Sequence, residues 1–327
     1  MSSRLKVVAL GGGHGLHASL NALRQLTTDL TAVVTVADDG GSSGRIRREL
    51  GVLPPGDLRM ALAALAGTDP GHQQWVELLQ HRLGGSGALA GHPVGNLLFT
   101  GMLEVEGDPL RALERLGALV GAVGRVLPMS PVPLDLVGEA DRFDPDDPDR
   151  TRLIRGQSSI AATPGRVRSV RLLPPGAPAC AAAVDAVREA DVIVLGPGSW
   201  FTSVIPHLLL RELAKALATT QARVIVTLNL VPQVGETEEY APHDLIRLLL
   251  AHAEPFGGLL IDTVLADRDA VSDVKQLSDY LRTIGARLVL SRLAADDSAE
   301  RHDPERLSAA LQQAIEDAPA DPAEVEG

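Results

Sequence analysis

Aromatic residues make up only 2% of the 327 positions, so a surface that stacks successive bases of a single-stranded nucleic acid has little to be built from. The interior must be packed with Leu, Val, Ile and Ala instead. Cysteine is scarcer still. Cys180 stands alone, which excludes an internal disulfide and fits a reducing compartment, where the thiol reads as a small core or helix residue. Two uncharged runs, 84–103 and 192–210, are each broken by Gly and Pro, and neither reads as a membrane span. The opening MSSRLKVVAL has too short an apolar run for a signal peptide. The expectation is a cytoplasmic protein with no nucleic-acid partner and no membrane span.

Positive charge is outnumbered, 30 Lys and Arg against 42 Asp and Glu, for a net −12. The excess is local. Segment 139–150 holds six acids and two arginines and segment 316–327 holds five acids, so together they carry nine of the twelve negative charges (4 + 5). The rest of the chain is close to neutral and can accept an anionic ligand. With 45% apolar residues, positions 1–317 read as one α/β domain with a sizeable core. Positions 318–327 read as an acidic, disordered tail.

What the chain does have is chemistry concentrated in TVADDGGSSGR, 35–45. Gly40, Gly41, Ser42 and Ser43 offer close-approach backbone and hydroxyl donors to an anion, Asp38 and Asp39 can hold a hard cation or a sugar hydroxyl, and Arg45 can grip phosphate. An exposed turn uses the same residue types. The stretch has companions, however. A nearly continuous apolar strand over 5–10 runs into GGGHG, with Gly11, Gly12, Gly13, His14 and Gly15, and a helix follows over 17–26. That order presents backbone N–H groups and a positive helix end to phosphate, although the glycine spacing is not the dinucleotide fingerprint and no Walker lysine follows. His14 and His17 lack further metal ligands and read as loop and helix-start residues.

A second strand over 31–36 delivers Asp38 and Asp39 to its C-terminal end, where open α/β sheets bind ligands. In LPPGDLR, Asp57 is placed to cap a helix reaching about residue 66, or to act as a functional carboxylate beside the phosphate site. Residues 75–121 are mostly helical in pattern, interrupted by GHPVGN, where His92 and Asn96 can donate to a ligand or serve as a loop residue and a helix cap. Residues 125–173 read as a small β-rich insertion. VIVLGPGSWFTSVI, 192–205, then repeats the logic of 7–20 at an offset of 185. It supplies Gly196, Gly198, Ser199, Thr202 and Ser203 as a second donor group. A strand over 223–229 ends on Asn229, with Gln233, Glu236 and Thr237 at the site edge. Further helices over 242–252 and 304–315 and strands over 259–266 and 286–291 complete a second α/β half. The fold class is α/β: a Rossmann-like, mostly parallel sheet with helices on both faces.

In sequence order, GGGHGL, TVADDGGSSGR, LPPGDLR, GHPVGNL, VLPMS, VIVLGPGSWFTSVIP and VPQVGET resemble the YvcK-like gluconeogenesis factors of the CofD-like superfamily, which also contains 2-phospho-L-lactate transferase. The resemblance covers about residues 5–315. It implies a UDP-sugar ligand such as UDP-N-acetylglucosamine, or another nucleoside diphosphate, and a regulatory role in cell shape and peptidoglycan synthesis during gluconeogenic growth. It further implies protein partners in envelope synthesis and a homodimer. The transferase branch implies an alternative, phosphoryl-group transfer with Mg2+ held by Asp38, Asp39 and Asp57, which would then be the catalytic candidates; Asp57 matches a transferase aspartate. His14 departs from a threonine common in the superfamily, and Met60 from an asparagine. GGSSGR is YvcK-like rather than transferase-like. On this reading two distant glycine bends close on one pyrophosphate.

Overall fold

The computed structural model describes residues 5–143, 146–233 and 235–317. The acidic tail expected over 318–327 and two positions of the acidic loop lie outside them. The strands are β1 (Lys6–Gly11), β2 (Asp29–Val34), β3 (Arg125–Pro128), β4 (Asp135–Asp141), β5 (Arg152–Arg155), β6 (Arg166–Leu173), β7 (Val192–Leu195), β8 (Arg223–Thr227), β9 (Thr263–Asp267) and β10 (Arg287–Ser291), followed by a hairpin of β11 (Ala294–Ala295) and β12 (Ser298–His302). Seven of them form one sheet in the order β10-β9-β8-β7-β1-β2-β3, with every pairing parallel.

Their sequences explain why. Val7–Leu10 and Val192–Leu195 are runs of Val, Ile, Leu and Ala buried at every position, as strands covered on both faces must be. From the centre, β1 leads outward through β2 to β3, and β7 leads the other way through β8 and β9 to β10. The chain therefore reverses direction between β1 and β7, and that boundary is the switch point where open parallel sheets place their ligand crevice.

The helices are α1 (Gly13–Leu23), α2 (Gly41–Leu50), α3 (Pro55–Leu65), α4 (Pro70–Gln80), α5 (Val94–Glu106), α6 (Pro109–Leu119), α7 (Gln157–Ala161), α8 (Ala181–Glu189), α9 (Arg211–Ala218), α10 (Pro242–Ala253), α11 (Val274–Thr283) and α12 (Pro304–Glu316), with a π turn, Trp200–Val204, running into a 3-10 turn, Ile205–Leu209. Three begin at Asp-Pro pairs. Asp69, Asp108 and Asp303 each accept the next free N–H groups while the proline fills the first helical position. On one face α1 packs on α3 and α12; right-handed crossovers running the opposite way along the sheet put α9, α10 and α11 on the other.

Several boundaries differ from the sequence expectation, among them β9, which begins at Thr263 rather than at 259, the start of α1 and the start of the insertion. Helix α1 begins at Gly13, four residues earlier than the apolar periodicity predicts, because the glycine loop itself turns into the helix. The β-rich insertion, expected over 125–173, begins at β4: β3 is the outer strand of the main sheet, and β5-β4-β6 form a separate antiparallel sheet.

His207 is fully buried in the 3-10 turn, with Nε2 3.0 Å from the carbonyl oxygen of Val33 and Nδ1 3.3 Å from that of Val204. It thereby ties this segment to the end of β2. Burial depresses it to about 4, and burial likewise takes His302 to about 4. Both stay neutral in the fold at pH values where the unfolded chain would protonate them. Their contribution is complete above pH 6.5 and is lost as the pH falls towards 4, on the order of 3 kcal/mol per histidine at most. Urea denaturation at pH 7 and pH 5 is expected to show the lower stability at pH 5. A His207→Gln variant whose stability fell just as steeply over that interval would remove His207 from the account.

A candidate anion site at the switch point

Helices α1, α2, α3 and α5 start at this end of the sheet, and side chains stitch their N-termini together. Asp57, in the first turn of α3, accepts the N–H of Gly13 at the start of α1, and Thr35 donates to it at 3.4 Å. Ser43 of α2 accepts the N–H of Gly56 of α3 at 3.0 Å. Ser42 of α2 lies 2.7 Å from His92 Nδ1 and accepts from Asn96 of α5 at 2.9 Å. Arg59 of α3 donates through Nε to Asn96 Oδ1 at 2.9 Å. None of the four helices has a side-chain N-cap of its own. Four positive helix ends thus meet, capped in part by one another's side chains rather than by N-cap residues of their own, and the N–H groups left over attract anions.

Asp57 therefore does not cap its own helix, whose N-cap is Pro54. It serves as a link between helices. Burial, with the neighbouring negative charge of Asp38, pushes its carboxyl up to about 7. Asp38 is raised by burial too, against bonds from Gly40 N–H and the Ser43 hydroxyl. Its Oδ2 lies 3.4 Å from where a side chain on Gly56 would begin, so Asp38 and Asp57 are near neighbours. Asp39 faces elsewhere: its Oδ1 accepts the N–H of Ser158 at 2.9 Å, and a side chain on Gly156 would meet its Oδ2 at 2.0 Å. It fastens α7 and the small sheet to the loop after β2. Arg45 likewise donates to the carbonyls of Ala88 and Ala90, and His14 stands exposed on the first turn of α1.

The second glycine bend is in direct contact with the first. A side chain on Gly15 would strike the Pro197 carbonyl at 2.1 Å, and Gly12 is walled by Thr35, Asp57 and Ser203. Gly11 is buried at the end of β1, and the Gly196 carbonyl accepts the Ser19 hydroxyl at 2.8 Å. The polar groups of the second bend are largely engaged within the chain. Asn229 grips Gly198 on both sides, accepting its N–H at 2.8 Å and donating to its carbonyl at 2.9 Å. Ser199 and the Phe201 N–H donate to Glu236, Thr202 donates to Ser199, and Glu236 is only 3% exposed. Ser203 remains beside Gly12. Past Asn229, a cavity of about 340 Å³ opens between the loops after β8 and β9, with Leu230, Pro232, Tyr240 and Val271 in its wall.

Sequence reasoning missed Arg59. It is 5% exposed, its Nη1 has no hydrogen-bond partner among the described residues, and burial lowers it to about 10, so it stays charged at neutral pH beside Asp57. A signal was there: Arg59 falls in the stripe Pro55, Leu58, Leu62, Leu65 that α3 buries, where an arginine needs a reason. Glu236, read as a site-edge residue, is a buried brace.

No group of three His, Cys, Asp or Glu side chains is placed to hold a metal ion among the described residues. Asp38 and Asp57 fit a narrower role, since Mg2+ commonly takes one or two carboxylates and completes its shell with ligand phosphates and water. Nor is any helix of the described residues long and apolar enough to cross a membrane.

The architecture defines a Rossmann-like α/β protein, with a candidate anion site at the reversal of its sheet. The chain belongs to the CofD family: the family model described as 2-phospho-L-lactate transferase CofD matches residues 7–312. It is 52% identical over 309 residues to the "Putative gluconeogenesis factor" of Mycobacterium tuberculosis strain H37Rv, over 93% of this chain and 89% of that protein. It is 34% identical over 317 residues to the gluconeogenesis factor of Listeria innocua, over 94% of each. A crystal structure of a UPF0052 family member from Bacillus halodurans matches with a TM-score of 0.84 at 32% identity, over 95% of this chain and 100% of that one.

Proposed function

We propose that the crevice binds a nucleoside-diphosphate sugar of the UDP-N-acetylglucosamine type, and that through this binding the chain regulates cell shape and peptidoglycan precursor metabolism in the cytoplasm during gluconeogenic growth. The observation that supports the reading is the meeting of four helix N-termini that have no side-chain N-cap of their own, beside Asp57 and Arg59. Each helix end favours an anion by about 0.3–1 kcal/mol, more when partly buried, and the Arg59 guanidinium adds a fixed positive charge behind them. A protonated Asp57 can donate to a phosphate oxygen, so the same carboxyl that would repel a diphosphate when ionised holds it when neutral. The cavity beside Asn229, about 340 Å³, has the size of a small ligand pocket and supports the reading as a place for the nucleoside. Proteins acting in envelope synthesis are the proposed partners of the liganded form.

Isothermal calorimetry with UDP-N-acetylglucosamine is expected to give saturable heat with a dissociation constant in the micromolar range. Folded protein that gives no heat, with and without magnesium, would overturn the assignment.

A second reading is favoured by the Asp38–Asp57 pair, two near carboxylates both raised by burial. There, bound Mg2+ would supply charge neutralisation on a transferring phosphoryl group. Asp38 and Asp57 would hold the ion, while Ser43 and the Gly40 N–H keep Asp38 oriented. This reading requires turnover, and incubation with UDP- or GDP-linked donors and candidate alcohols that released no UMP or GMP would eliminate it.

A further inference from the structure

A cavity of about 390 Å³ opens where α2 faces the small sheet. Arg47 and Arg48 come to it from α2, Arg155 from β5 and Asp135 from β4. Three guanidinium groups therefore share one cavity in a chain whose net charge is −12. A single carboxylate pairs with them. Asp135 takes Arg47 on one oxygen and Arg155 on the other, the latter at 2.6 Å. Asp39, the second acid in the wall, turns its carboxylate to the Ser158 N–H, and Arg48 reaches only its main-chain carbonyl, at 3.3 Å. Arg47 lies deepest. Its side chain is 14% exposed, and its buried Nη1 has no hydrogen-bond partner among the described residues. Charge held this deep calls for a matching charge, and one shared carboxylate leaves positive charge over.

That surplus selects the ligand. A carboxylate offers two oxygens and suits one or two guanidinium forks from one side, which Asp135 already supplies. A phosphate monoester carries close to two negative charges at neutral pH on three acceptor oxygens, so forks arriving from two separate elements can hold it together. The cavity has small-ligand size. An extended polyanion would need positive charge beyond the cavity as well, and α2 continues past Arg48 with the exposed Glu49.

We propose that this cavity is a second anion site, separate from the crevice, which holds the phosphate of a small phosphate monoester between Arg48 and Arg155, with Arg47 as the fixed charge behind it. The ligand ties α2 to β5 across the seam that Asp39 and Ser158 close. Calorimetry of the full chain with glycerol 3-phosphate, at an ionic strength fixed with chloride, is expected to give a sub-millimolar dissociation constant. Arg48→Ala combined with Arg155→Ala is expected to raise that constant roughly 100-fold, about tenfold for each charged donor removed. Both side chains are exposed, so the double variant should keep the wild-type melting curve in chloride alone. The monoester is also expected to protect Arg48 and Arg155 from phenylglyoxal, read by peptide mass mapping. Arg59→Ala, which disables the crevice, should still bind it. A wild-type chain that binds no monoester would overturn the proposal, as would a double variant that binds it equally well or a ligand that leaves both arginines open to phenylglyoxal. Loss of binding in Arg59→Ala would also overturn it, by placing the anion in the crevice.

Discussion

Arg59→Ala is expected to weaken binding of UDP-N-acetylglucosamine by about two orders of magnitude, or roughly 3 kcal/mol, the usual range for removing one member of a buried charged set. The side chain touches the site through two relations. Its Nε holds Asn96, which in turn holds Ser42 at the start of α2, and its charge faces Asp57. Alanine releases both. Stability should fall less than affinity, because the buried Nη1, without a hydrogen-bond partner among the described residues, is itself a cost that alanine removes, while Asn96 Oδ1 is left unpaired at about 1–3 kcal/mol. Arg59→Lys keeps the charge without the fork and should fall between. Calorimetry resolves the series, and an Arg59→Ala protein that binds as well as wild type would show that the positive charge behind the helix ends is not used.

Gly15→Ala should be among the most damaging small changes in the chain. The added methyl would stand 2.1 Å from the Pro197 carbonyl oxygen and 2.6 Å from its carbon. Both are backbone atoms, so no side-chain rotation relieves the contact and the two glycine bends must part. Overpacking of this kind costs about 3 kcal/mol, and parting the bends moves the start of α1 away from Ser203 and Asp57, so ligand binding should be lost along with stability. Gly13→Ala provides the contrast. Its nearest neighbour would be 3.9 Å away, and the cost, about 1 kcal/mol, comes only from its positive φ of 55°. Urea denaturation of the two variants separates them; equal losses would mean that the contact between the bends is not tight.

The fold was largely legible because its central strands are unbroken apolar runs and its turns carry glycine at the right places. The contact between the two glycine bends was legible for a different reason: strand, Gly-x-Gly and helix recur at a fixed offset, and one parallel sheet brings such ends to one edge. What each polar residue does there was less legible. Asp38 and Asp39 are adjacent and chemically identical in sequence, yet one faces Asp57 and the other holds Ser158, a partner 119 residues away. Asn229 and Ser199 read as ligand donors because their types suit it, but their hydrogen bonds close within the second bend. Arg59 was hidden because a single arginine in a helix resembles any solvated one until its neighbours on the buried stripe are counted. The start of α1 was misplaced because a glycine that turns directly into a helix leaves no capping residue to announce it.

The small sheet has a mechanical consequence. On one side Ser158 is tied to Asp39 in the loop after β2; on the other Tyr240, in the loop after β8, donates to the Val167 carbonyl at 2.7 Å, and Arg142 pairs with Glu239. Those loops flank the reversal of the sheet, so the insertion is a bridge with a footing on each bank. A bridge of fixed span sets the aperture beneath it: widening the crevice for a bulky ligand requires one footing to let go, which makes opening a stepwise event with a threshold rather than a gradual loosening.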